Sequence, residues 1–152
     1  MASGNSRSVR RRGLVVRTIY AACLVGLTYS HWAAIFQHGF LWDHGGFSRA
    51  SATFWSILAV IDPAAAVLLF KRPNVGVMAT AAIIIADVIH NVWIQARYFP
   101  PLLHGLGEAP QVAEQIAFMT FVVITAPWAW TRAHLPASLE PNRLNNHTQP
   151  SA

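Results

Sequence analysis

Two aspartates, a histidine and an asparagine stand in runs that are otherwise apolar. Asp62 lies in VIDPAAAVLL, and Asp87, His90 and Asn91 lie in IIIADVIHNVWI. Carboxylates and imidazoles accept and pass protons, and an amide beside them orients a partner by hydrogen bonding. An ionisable group at bilayer depth costs about 2.5–3.5 kcal/mol on insertion scales. Two carboxyls at one depth are an expensive way to tie helices together. Asp62, Asp87 and His90 are therefore the candidate catalytic or proton-handling groups.

Helical spacing adds to this. Asp87 and His90 are i,i+3, Asp87 and Asn91 are i,i+4, and Gln95 continues that face one turn outward. At about 1.5 Å per residue, Asp62 and Asp87 each lie roughly 15 Å from the outer end of their runs, His90 roughly 12 Å and His31 roughly 8 Å. Two carboxyls brought together there share a proton at neutral pH, because like charge and desolvation oppose a second ionisation. His31, Asn91, Gln95 and Trp93 are the candidate ligand-binding residues. Ala79, Ala82 and Ala86 permit close helix contact nearby. Pro63 follows Asp62 and, lacking an N–H, releases the carbonyl of residue 59. The structural alternative is that these polar groups only join helices, at about 0.6–2 kcal/mol per bond. For Asn91 taken alone that is the preferred reading.

The elements that carry these residues follow from composition. Of 152 residues, 54% are hydrophobic and 11% charged, against about 25% charged in soluble domains. Four apolar runs, at about 18–36, 52–70, 75–98 and 112–131, match the 17–25 residues of a membrane-crossing helix. Glu114 and Gln115 make the last run the weakest. None shows the period-two polarity of a barrel strand, so the runs must be helices. The expected fold is an all-α integral membrane protein, a compact four-helix transmembrane bundle. Residues 1–17 read as a basic cytoplasmic segment and 132–152 as a polar, disordered cytoplasmic tail. KRPN (71–74) reads as a tight turn.

Nine of the eleven Lys and Arg residues fall on one side of this topology: five N-terminal arginines, Lys71, Arg72, Arg132 and Arg143. Only Arg49 and Arg97 fall on the other. The positive-inside rule then puts both termini in the cytoplasm, as expected for a multi-pass protein of a bacterial inner membrane. The N-terminal arginines abut an apolar run and come with no recognition module, so nucleic acid is not the expected partner. Expected partners are the lipid bilayer, a hydrophobic small molecule, and a membrane-protein partner or second copy. Cys23 is the single cysteine, which excludes an intrachain disulfide.

Several functions fit these features. The leading expectation is binding or processing of a small hydrophobic or proton-coupled ligand at the Asp/His/Asn cluster. In outline the chain resembles the EXPERA group of sterol isomerases and sterol-binding receptors: four spans, acid and histidine residues in the middle spans, and a large first outer loop. The likeness is one of layout and carries over no residue roles. It implies a hydrophobic-ligand isomerase or binding protein. His31 and His90, at similar depths on the first and third runs, could hold haem between facing helices. His38, Asp43 and His44 of HGFLWDH, with His31 or His104, could bind a divalent metal. The last expectation is an accessory or assembly subunit, with the polar face of the third helix against another chain.

Overall fold

The computed structural model describes residues 3–98 and 110–133, with side chains over 11–98 and 112–130. Four helices make up nearly all of this range: α1 (Ser3–His38), α2 (Arg49–Lys71), α3 (Pro73–Tyr98) and α4 (Pro110–Ala133). All four are long and apolar enough to cross a membrane, which fits a multi-pass membrane protein. The α3–α4 connection with His104, and the tail from 134 on, lie outside the described residues, as do the expectations placed on them.

α1 starts at Ser3, well before the expected Thr18. Its 36 residues extend for about 54 Å, far more than the roughly 30 Å hydrocarbon layer needs. Arginine is a good helix former and no proline interrupts the stretch, so the basic segment is the first part of α1. α2 starts on a Ser48 cap, whose hydroxyl accepts the Ser51 N–H at 3.2 Å. It ends where the Arg72 N–H reaches the Leu68 carbonyl at 2.8 Å. Pro73 then opens α3, where a missing N–H costs nothing. The turn is tight because Gly76 lies on the backbone of Leu68 and Leu69, which a Cβ there would strike.

Prolines leave two α2 carbonyls without an i+4 donor, and α1 supplies both. Pro63 releases the Ala59 carbonyl, which accepts from Trp32 Nε1 at 3.1 Å. Pro73 releases the Leu69 carbonyl, which accepts from Arg17 Nη1 at 3.2 Å. In an apolar medium an unmet backbone carbonyl is costly, so these bonds help fix how α1 lies along α2.

α1 packs chiefly on α2 and α4 on α3, with α2 and α3 joined by their turn. The core runs through Tyr20 and Leu24 of α1, Ala65 and Leu69 of α2, Val77 and Ile84 of α3, and Val122 of α4. Tyr20 pins α1 to α4. Its hydroxyl lies 2.6 Å from Thr125 Oγ1 and donates to the Val122 carbonyl at 3.3 Å, while its ring meets Phe118 and Phe121 edge-on. Phe36, Ile89 and Ile124 point outward, as a lipid-facing perimeter requires.

Candidate functional site

Asp62 on α2 and Asp87 on α3 are both buried, at 1% and 2% exposure, and lie within electrostatic range of one another. Their surroundings differ. Asp87 Oδ1 accepts from Asn91 Nδ2 at 2.7 Å, one turn along α3. Asn91 Nδ2 also donates to Gln115 Oε1 on α4 at 3.0 Å, and Asn91 Oδ1 accepts from Trp55 Nε1 on α2 at 3.2 Å. One amide thus connects three helices.

Asp62 has no such support. Its Oδ1 is buried without a hydrogen-bond partner, and its Oδ2 lies 3.9 Å from His31 Nε2, itself unpartnered. That separation is within Coulombic reach but too long for a hydrogen bond. A buried acid and a half-buried base whose facing nitrogen is shielded, both unsatisfied and side by side, are poor structural glue.

In front of this pair, at the end of the molecule bearing the α1–α2 loop, α1 and α4 separate around a cleft of about 610 Å³. Cys23, Gly26, Leu27 and Phe118 line its apolar part, and Ser30, His31, Asn91, Glu114 and Gln115 its polar part, with Trp55 and His44 alongside. The α1 residues follow the i,i+3,i+4 spacing of a single helix face. Gly26 has no atom within 4 Å of where a Cβ would stand, so the missing side chain leaves this side of the cleft open. The aspartates do not line the cleft. His31 stands in front of Asp62, and Asn91 in front of Asp87.

His90 departs from the face expected of it. Its ring centroid is 4.4 Å from that of Phe54, 5.3 Å from that of Trp55 and 6.0 Å from that of Trp93. One residue further along, Asn91 turns 100° round the helix toward Gln115. His90 is not among the cleft residues, so the two histidines of the haem reading have different surroundings. Trp93 is 51% exposed and contacts the rings of His90 and Tyr98. Gln95 is half-buried and outside the cleft.

The loop residues build an aromatic stack. His38 lies on Trp42 at 3.7 Å between centroids, Trp42 meets His44 at 4.4 Å, and His44 meets Trp55 at 4.3 Å. Asp43 Oδ1 accepts the Gly45 N–H at 3.1 Å and its carbonyl the Phe47 N–H at 2.8 Å. This turn holds His44 at φ 52°, a left-handed conformation that histidine tolerates better than most residues. Burial pushes the His44 pKa below its ordinary value, and nearby His38 adds to this while Asp43 opposes it. Among the described residues no three His, Cys, Asp or Glu side chains are grouped so as to hold a metal ion.

Sequence reasoning missed Gln115, Glu114 and Trp55 as cleft residues. Gln115 and Glu114 were visible as polar residues that weaken the fourth apolar run, whereas nothing in the spacing of Trp55 marked it. No known family, curated protein or solved structure matches the chain.

Proposed function

We propose that this is a four-helix transmembrane bundle of a bacterial inner membrane, with both termini cytoplasmic, that binds a small amphiphile in the cleft between α1 and α4. The distribution of Lys and Arg supports the orientation. The cleft then opens toward the outer half of the bilayer, with its apolar part nearer the midplane. His31 and Asp62, with Asp87 behind Asn91, exchange a proton with the bound molecule or with one carried alongside it.

The cleft itself carries this reading. Its volume of about 610 Å³ falls within the roughly 300–1,000 Å³ of small-molecule sites. Its lining divides into an apolar stretch and a polar end, directly before the only two aspartates in the apolar runs. The polar face of α3 is met by Trp55 and Gln115 of the same chain, which favours an internal site over a surface awaiting another subunit.

An alkyl diazirine probe in lipid nanodiscs tests it. Photolabelling is expected to concentrate on the α1 stretch 23–34 and the α4 stretch 114–118. Label spread evenly over outward positions such as Val60 and Ile124 would overturn the reading.

A further inference from the structure

We infer that the cleft selects an amphiphile whose head is a hydrogen-bond acceptor, a carbonyl oxygen on an apolar chain. The inference rests on the cleft being the binding site and specifies the chemistry of its ligand.

The argument begins at Trp55. Its indole nitrogen can only donate, so the Asn91 atom facing it at 3.2 Å is the carbonyl oxygen. The Asn91 amino group is thereby turned toward Asp87 and Gln115. Gln115 must meet that amino group with its own oxygen, Oε1, at 3.0 Å. What remains of the Gln115 side chain is its amino group, with two N–H donors. Gln115 lines the cleft, so the network ends by offering those donors to whatever occupies it. Each amide orientation is forced by the previous partner, and Trp55 anchors the series. The direction therefore does not depend on telling nitrogen from oxygen in an isolated amide.

Two of the other polar groups at this end, Ser30 and Glu114, do not compete as fixed donors, and His31 turns its Nε2 toward Asp62. Ser30 Oγ spends its hydrogen on the Leu27 carbonyl at 2.7 Å. Glu114 is exposed and can only accept when ionised. Glu114 and Ser30 would suit an ammonium head, which makes the amine the informative competitor. A host phospholipid also carries a carbonyl on an apolar chain, in its ester linkage.

The experiment uses the full-length protein in nanodiscs of ether-linked phosphatidylcholine, which removes lipid ester carbonyls. Methyl nonyl ketone, undecylamine and undecane compete with the alkyl diazirine for the cleft at equal membrane-bound concentrations. One neutral hydrogen bond contributes about 1 kcal/mol, so the ketone is expected to displace the probe about fivefold more effectively than undecane. Gln115→Glu keeps the size and the Asn91 bond but presents an acceptor, so the amine should overtake the ketone in that variant. Loss of the ketone advantage in ester-linked lipid would identify the bilayer's own carbonyl as the source and still support the acceptor head. Equal displacement by ketone and undecane overturns the inference. So does an amine that leads in the wild type, or an order unchanged in Gln115→Glu. In each of these cases labelling of the cleft survives. If the probe never labels the cleft, the binding site itself is wrong and this inference falls with it.

Discussion

The Trp32 indole nitrogen donates at 3.1 Å to the Ala59 carbonyl, the acceptor that Pro63 deprives of its own helical donor. A tryptophan of one helix thus repairs a break in the next, immediately before Asp62. The bond joins α1 to α2 beside His31 and holds the acid–base pair in register. Trp32→Phe should therefore destabilise the protein by about 1–2 kcal/mol, read as the shift in a denaturation equilibrium in bicelles. In a Pro63→Ala background residue 63 regains its N–H and satisfies Ala59 itself. The same Trp32 substitution should then cost well under half as much. Equal costs in the two backgrounds would show that the indole contributes through packing alone.

Two glycines should respond in opposite ways. At Gly76 any side chain runs into the backbone of Leu68 and Leu69. Gly76→Ala should cost about 1–3 kcal/mol or more, as overpacking does. Gly26 faces empty space, so Gly26→Leu should leave stability within about 0.5 kcal/mol, as at other unpacked positions. It should nevertheless remove diazirine labelling from the cleft by filling it. Parallel unfolding and labelling of the two variants make the check. A Gly26→Leu protein that labels like the wild type would refute the cleft's assigned place.

The two aspartates should also separate by stability. Asp87 is the acceptor for Asn91 at 2.7 Å, so Asp87→Leu leaves one N–H of a half-buried amide unmet, at about 1 kcal/mol or more. Asp62 Oδ1 has no partner, so Asp62→Asn should be neutral or stabilising in the same unfolding assay. Proton uptake or release coupled to ligand addition, followed in weakly buffered nanodiscs, should be lost in Asp62→Asn. If uptake persists unchanged, Asp62 is not the proton site.

The aromatic loop should loosen in acid. The His44 pKa is lowered by burial first and by His38 second, so the packed loop favours the neutral ring. This contribution is complete above the ordinary histidine value of 6.5 and is lost as pH falls through the lower folded value. Tryptophan fluorescence should change reversibly below that ordinary value as Trp42 and Trp55 lose contact with the ring. His44→Phe keeps the stack without the proton and should flatten the acid limb. An acid limb of unchanged size in His44→Phe would assign the titration elsewhere.

Much of the architecture was legible in local chemistry. Four apolar runs of spanning length, the Pro73 turn and the Pro63 break follow from composition and from the geometry of a residue without an N–H, and the helices lie close to the expected positions. The start of α1 was missed because hydropathy marks where a helix meets lipid and says nothing of arginine-rich turns that continue it. The site was legible in part. That Asp87 and Asn91 share a face is a property of one helix, and they do bond. His90 obeys the same spacing rule, yet it packs against Phe54 and Trp55, because a side chain's surroundings depend on which neighbouring helix lies beside it.

By itself the sequence determined which polar residues stand in the apolar runs, which carbonyl Pro63 would orphan, and how the basic residues are distributed between those runs. These depend on spacing along one chain and on the chemistry of single residues. Only the tertiary structure decided that Trp32 would meet Ala59, that His31 rather than His90 would stand against Asp62, and that Gln115 would complete the Asn91 network. Each of these depends on the rotation of one helix about its axis relative to another. That rotation is settled by packing at Tyr20, Gly76 and the α2–α3 turn together, and no single segment encodes it.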